Sequence, residues 1–197
     1  AAGLTSRVAI GLLDHGLRSL ARTLGVTAFD ASLTAVEAQL ALHAGMWPEL
    51  VRGPAADDPP NRHACGFASA GRLGGTTPSL SPELESYLAV GEPPVVIGLG
   101  SIFSLGSDDL VADLAASCAR IGRRCVVVGP APRHAELPPS TLVVPYAPYD
   151  LLFPRAAAVV IHGGAGTTGE ALKCGRPSVV VPLALDQFSL AWQVDRL

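Results

Sequence analysis

Five short segments in the carboxyl-terminal half of the chain are apolar at nearly every position: VVIGLG (95–100), RCVVVG (124–129), TLVVPY (141–146), AAVVIH (157–162) and PSVVVP (177–182). A strand with one face in water alternates apolar and polar residues. These do not, so both of their faces must be covered. The stretches between them carry helix signals. SDDLVADLAASCARIG offers Ser107 as an N-cap, Asp108 and Asp109 in the first turn and Gly122 just past the end. YDLLFPRA makes a short helical turn, and AGTTGEALKC is a helix closed by Gly175. Apolar strands alternating with helices predict an α/β fold: a Rossmann-like parallel sheet of five strands, covered by helices on both faces and joined by right-handed crossovers.

The rest of the chain is less regular. HGLRSLARTLGV (15–26) places Leu17, Leu20, Ala21 and Leu24 at helical spacing, while LTAVEAQLALHAG (33–45) fits helix or strand. RGPAADDPPNRH is a turn-rich break, and residues 69–93 look like an inter-domain linker with one short helix, capped by Ser81 with Pro82 at its first position. The expected organisation is a tail of a preceding domain (1–68), a linker (69–93) and a regular α/β domain (94–197). The pattern QFSLAWQVDRL carries no helix stop, so a chain truncated at both ends is expected.

Composition removes several function classes. With 49% hydrophobic and 16% charged residues, the chain has enough apolar surface for a core. A net charge of −3 argues against a nucleic-acid binder working through a basic surface. No apolar run reaches the roughly 18–20 residues of a membrane span. Cys65, Cys118, Cys125 and Cys174 form no CxxC pair and read as reduced thiols, and no HxxxH or paired-Cys pattern supports a metal site.

The densest chemistry is IHGGAGTTGEALK (161–173). A strand ends at His162, glycines follow, and a helix starts near Ala165. Ligands of parallel sheets bind at the carboxyl ends of strands, and a helix amino terminus has free N–H groups and partial positive charge. Glycines admit a large anion, and Thr167 and Thr168 add hydroxyls, so phosphate or diphosphate is the natural ligand. A Walker loop would need a Lys after its glycines; the only Lys in the chain, Lys173, lies well inside the helix. Gly164 to Gly169 formally matches GxGxxG, with Asp186 at about the distance of a ribose-binding acid, so a dinucleotide-binding oxidoreductase is an alternative. Against it, that fingerprint belongs on a fold's first strand, and this one follows the fourth.

HGGAGTTGEALKCGRPSVVVPLALDQ resembles the donor-binding signature of GT-B glycosyltransferases of family 1, in particular the bacterial antibiotic and sterol glucosyltransferase-like branch. Leu152-Phe153-Pro154-Arg155, His162 to Thr168, Gly175-Arg176-Pro177, Pro182, Asp186-Gln187, Ala191 and Val194 carry the likeness. It covers roughly residues 80–197. Ile161 stands where the bacterial pattern has a first His, and Tyr149 where a His is common.

The resemblance implies roles. Ser101, His162, Gly163, Gly164, Gly166, Thr167 and Thr168 would hold the donor's phosphates. Glu170 would accept from the ribose hydroxyls. Tyr146 and Ala147 occupy the place of the segment that meets the base. Asp186 and Gln187 would bond hydroxyls of the transferred sugar. It implies a cytoplasmic hexosyltransferase that moves a sugar from a UDP- or dTDP-sugar co-substrate to an acceptor hydroxyl with inversion and without cofactor or metal. The acceptor would be small and hydrophobic: a polyketide, sterol, flavonoid or lipid. Peripheral association with a membrane is compatible with this. No catalytic residue is expected within the chain, because the His that activates the acceptor would lie upstream, so these residues alone should bind at most the donor. A non-catalytic nucleotide-sugar-binding remnant and a GT-B sugar epimerase are the remaining alternatives.

Overall fold

The structure is a computed structural model. It describes residues 42–56, 58, 60–67, 78–100 and 108–197, together with His15, Ser19, Arg22 and Thr23, which are helical. The rest of the helical pattern at 15–26, most of the ambiguous stretch at 33–45, the cap Ser107 and the candidate ligand Ser101 lie outside the described residues. The chain divides into two compact units, residues 1–45 with 54–64, and residues 46–53 with 65–197. Within the first unit, β1 (His43–Gly45) and β2 (Arg62–Ala64) pair in parallel.

The second unit contains the expected sheet. Its strands are β3 (Val95–Gly98), β4 (Cys125–Val128), β5 (Thr141–Val144), β6 (Ala158–Ile161) and β7 (Ser178–Val180). They are all parallel and lie in the order β5-β4-β3-β6-β7. The helices are α1 (Pro82–Leu88), α2 (Asp108–Arg120), α3 (Tyr149–Leu152), α4 (Ala165–Lys173) and α5 (Gln187–Val194), with a 3-10 turn at Phe153–Arg155.

The strands feed two cores in alternation, as residues of period two must. Val96, Val126, Val128, Val144, Val159 and Ile161 face one core with Leu84 of α1, Leu152 of α3, Phe153 and Ala171 of α4. Ile97, Cys125, Val127 and Val160 face the other, with Val111, Ala115 and Cys118 of α2. Both faces are therefore covered, which is why the strand sequences lack alternation. The chain leaves β3 toward β4 and leaves β6 toward β7, in opposite directions across the sheet. Helices α2 and α4 lie on opposite faces, as two right-handed crossovers running in opposite directions require.

Helix α1 starts as expected: Ser81 Oγ accepts from Leu84 N (3.3 Å) and Pro82 opens the first turn. It packs on the sheet rather than standing clear of it. Leu84 is fully buried, and the Tyr87 hydroxyl reaches the carbonyls of Ser140 (2.7 Å) and Cys125 (3.1 Å). Arg124 stacks over the Tyr87 ring and donates to the Tyr87 and Glu92 carbonyls, fixing the far end of the helix. Helices α2 and α4 run out at Gly122 and Gly175, both in left-handed backbone.

Candidate functional site

Strand order creates one special place. The chain builds β3, β4 and β5 outward on one side, then returns to place β6 on the other side of β3. The order of the strands therefore reverses between β3 and β6, and their carboxyl ends form the switch point where open α/β sheets bind ligands. His162 follows β6 at that point. Its ring is clamped between the two loops. A Cβ on Gly100, after β3, would lie 2.5 Å from His162 Cε1, and a Cβ on Gly164 would overlap His162 Nε2. Both positions must be glycine for the ring to fit.

His162 is 8% exposed, and its Nδ1 has no hydrogen-bond partner. Thr168 Oγ1 is likewise buried and unpartnered. An orphaned buried polar atom is costly, about 1–3 kcal/mol, and two of them fall in the segment from the end of β6 into α4. Helix α4 starts beside them. Its N-cap, Gly164, provides no side-chain cap, and the first helical bond runs from Thr168 N to Gly164 O (2.9 Å). The N–H groups of Ala165, Gly166 and Thr167 are the unsatisfied donors of that first turn. A Cβ on Gly166 would meet nothing within 4 Å, so the space over the turn is open. The arrangement suits an anion with several oxygens.

The second loop of the site follows β7. Val181 N still donates to Ile161 O (2.8 Å), which keeps this segment beside the end of β6. The chain then runs through Leu185 in a left-handed conformation (φ 55°) to Asp186 at the head of α5. A simple helix cap would be the plainest role for Asp186, yet its side chain makes no capping hydrogen bond and is exposed. Gln187 is almost fully buried, and its Oε1 accepts from Leu183 N (2.8 Å) and Ala184 N (3.0 Å). The glycine turn and the Asp186-Gln187 turn are thus brought to one edge of the sheet.

Other expected site residues are placed differently. Tyr146 is 75% exposed, at the end of the edge strand β5, while the Ala147 methyl is in the core. Any contact of Ala147 with a base must therefore come from its backbone. Tyr149, which stands where a His is common and closes the segment expected near the base, projects to the end of β3: a Cβ on Gly98 would lie 2.5 Å from its hydroxyl. Its ring stacks on Phe153 (centroids 4.4 Å apart), four residues on at helical spacing. Burial, aided by the neighbouring Tyr146, pushes the Tyr149 phenol up to about 12, so it stays a hydrogen-bond donor at neutral pH. Glu170 lies on the flank of α4 and lines a pocket of about 410 Å³ with Phe67, Leu172 and Lys173. His162 is not among the residues lining that pocket. Phe67 closes down on α4 at Gly169, where a Cβ would lie 2.5 Å from the ring.

Cys118 and Cys125 are both buried; the neighbouring Cys125 and burial push the Cys118 thiol up, and Cys125 Sγ contacts Thr141 Oγ1 at 3.4 Å. Among the described residues no group of three or more His, Cys, Asp or Glu side chains is placed to hold a metal ion, and no helix is long and apolar enough to cross a membrane. The GxGxxG match falls after β6, the fourth strand of the sheet, and not after its first strand β3, and Asp186 heads a helix instead of closing a strand. Neither is the placement of a dinucleotide fingerprint.

Residues 102–197 match the family model described as Erythromycin biosynthesis protein CIII-like, C-terminal domain. This segment is similar to the carboxyl-terminal domains of antibiotic glycosyltransferases. Among relatives, O-mycaminosyltylonolide 6-deoxyallosyltransferase of Streptomyces fradiae is 46% identical over 117 residues, 59% of this chain and 28% of that protein. Vancomycin aglycone glucosyltransferase of Amycolatopsis orientalis is 36% identical over 121 residues, 60% of this chain and 29% of that protein. The match thus spans under a third of the length of these relatives. In fold, the chain superposes on the glycosyltransferase of kitacinnamycin with a TM-score of 0.66 at 23% identity, covering 93% of this chain and 46% of that one. The likeness in fold thus extends over the parallel sheet that carries the switch-point site.

Proposed function

We propose that the second unit binds the nucleotide-sugar donor of a glycosyltransferase that moves a hexose from a UDP-glucose-like donor to an acceptor hydroxyl with inversion. One observation carries this reading: His162, buried with an unpartnered Nδ1, is clamped at the switch point beside the free first turn of α4. In the proposed mechanism the acceptor oxygen attacks the anomeric carbon as the diphosphate leaves. Negative charge grows on the leaving phosphate oxygens. His162 and the N–H groups of Gly166 and Thr167 are already oriented toward that charge, so they stabilise it without reorganising, and Thr168 adds a hydroxyl. Gly163 and Gly164 let the phosphates approach, and Ser101 meets them from the loop after β3. Asp186 accepts from the sugar hydroxyls, Glu170 from the ribose, and the Tyr146-Ala147 segment borders the base. Residues 1–68 belong to the acceptor-binding side, whose His deprotonates the acceptor. The printed names of the relatives, a 6-deoxyallosyltransferase and a glucosyltransferase, support a hexose donor; the acceptor in this reading is small and hydrophobic and is met in the cytoplasm.

Calorimetry with UDP, UDP-glucose, dTDP-glucose and uridine tests the donor site. The nucleotide diphosphates should bind, uridine should bind far more weakly, and His162→Ala should weaken UDP by about 1.5–3 kcal/mol, the size of a hydrogen bond to a charged group. Equal losses for UDP and uridine would remove His162 from the phosphate site. Binding without transfer by the full-length protein would favour the non-catalytic alternative.

A further inference from the structure

We infer that Gln187 is a positioning residue: its side-chain carbonyl holds the loop after β7 in the shape that presents Asp186, and its role in sugar recognition runs through that loop. Backbone N–H groups can only donate. The group facing the Leu183 and Ala184 amides must therefore be the carbonyl oxygen of Gln187, which leaves only its amide NH2 for any other partner. Gln187 N in turn donates to Ala184 O (3.2 Å), so the loop is tied at both ends to one residue. Between these ties the chain takes its one described left-handed step at a non-glycine, Leu185, whose side chain is 79% exposed and gains no burial from it. Such a step persists only where the surroundings enforce it, and the two bonds to Gln187 are what encloses it.

The same residue fixes the loop against the phosphate side. A Cβ on Gly163, immediately after His162, would lie 3.2 Å from the backbone carbonyl oxygen of Gln187 and 3.5 Å from its Cβ, and 2.9 Å from Val180 Cγ1. Gly163 is itself in left-handed backbone (φ 86°), so both the fit and the conformation there call for glycine. Gln187 thus sits between the His162 turn and the Asp186 loop and sets their separation.

This inference rests on the donor reading for its ligand but not for its geometry, and the test separates the two. Hydrogen exchange at the Leu183 and Ala184 amides is measured without ligand in the wild type, Gln187→Ala and Gln187→Glu. Calorimetry then compares UDP-glucose with UDP. A Glu carboxylate still accepts both N–H bonds but has no NH2 to offer a sugar. The expected result is that Gln187→Ala speeds exchange at both amides and weakens UDP-glucose by about 10–30-fold, the equivalent of two neutral hydrogen bonds, with a much smaller effect on UDP. Gln187→Glu recovers protection and most of the affinity. Protected β6 amides at Val159 and Val160 show that each variant is folded. If Gln187→Glu protects the loop yet binds UDP-glucose as weakly as Gln187→Ala, the amide is a direct ligand and the inference fails. Unchanged exchange in Gln187→Ala overturns it as well. If no protein in the series binds nucleotide, the donor reading falls, and the exchange data alone still decide whether Gln187 holds the loop.

Discussion

Gly164→Ala should disable the site by way of the His162 ring, because Gly164 offers the phosphates only its backbone, which the substitution keeps. Gly164 has φ −65° and ψ 141°, a backbone conformation open to any residue, so the new methyl brings no backbone strain. Its whole effect is steric, because the Cβ would overlap His162 Nε2. The ring cannot swing toward β3, since the Gly100 backbone closes that side. Overpacking of this kind costs about 1–3 kcal/mol of stability. Displacing the ring also loses its phosphate contact, worth about 1.5–3 kcal/mol or roughly 10–150-fold in UDP affinity. Denaturant unfolding and UDP calorimetry on Gly164→Ala, His162→Ala and the double variant form a cycle. With the His162 ring gone, the added methyl has nothing to strike. The double variant should therefore bind UDP like His162→Ala alone, and the methyl should cost only a few tenths of a kcal/mol in stability. Additive losses of UDP affinity across the cycle, or a loss of uridine binding as large as that of UDP, would refute the idea that the two glycines exist to seat the imidazole at a phosphate.

Asp186→Asn should leave UDP affinity nearly unchanged and weaken UDP-glucose several tens-fold, as loss of one charged hydrogen bond to a sugar hydroxyl would; equal effects on both ligands by calorimetry would return Asp186 to a structural role. Because the Tyr149 phenol is raised to about 12 in the folded protein, the folded state holds its proton while the unfolded chain gives it up above about pH 10. Stability should fall as pH rises from about 10 to 12, by about 2–3 kcal/mol from this group, and Tyr149→Phe should remove that part of the alkaline slope in urea unfolding. Phe153→Ala, at a fully buried ring stacked on Tyr149, should cost about 3–5 kcal/mol in the same assay. Glu85→Gln breaks a 2.6 Å ion pair with Arg155 in which both side chains are over a third exposed, so the melting curve should barely move, by well under about 1 kcal/mol.

The sheet was legible because its strands had no choice. Segments such as CVVV and AVVI are apolar on both faces and belong only where two cores meet. Their ends were read one or two residues too long, since the run VVIGLG looks uniform while ladder pairing stops at Gly98; Leu99 is fully buried without being in a strand. The Ser81 cap and the His162 turn were equally legible, being local arrangements of neighbouring residues. Contacts that join distant loops were not. Nothing in the sequence says that Gly100 and His162, sixty-two positions apart, share one clamp, or that the Tyr149 hydroxyl lies over Gly98. Nor could β1 and β2 be found, because HAG and RHA carry no strand pattern and pair only through tertiary context. The resemblance implies that Gln187 bonds the sugar from its place beside Asp186, a role its side-chain NH2 leaves open. Its carbonyl contacts depend on a left-handed step at Leu185, a residue type that gives no sign of one.

The two halves of the proposed donor therefore meet different kinds of structure. The diphosphate, common to UDP- and dTDP-sugars, would meet His162 and the first turn of α4. These groups are fixed by strand order, by a helix packed into the core and by glycines that leave the ring one place to sit. The sugar, which differs between donors, meets a loop shaped by a single side chain and one strained residue. A substitution at the first place must disturb the sheet's own packing, so changes there cost stability together with binding. A substitution at 183–186 alters a surface loop whose bonds to the fold are few, so it can reshape the sugar site while the phosphate site and the core stay as they are. Donor choice in this domain can therefore vary at the loop after β7 with little penalty to folding, provided that Gln187 still holds it.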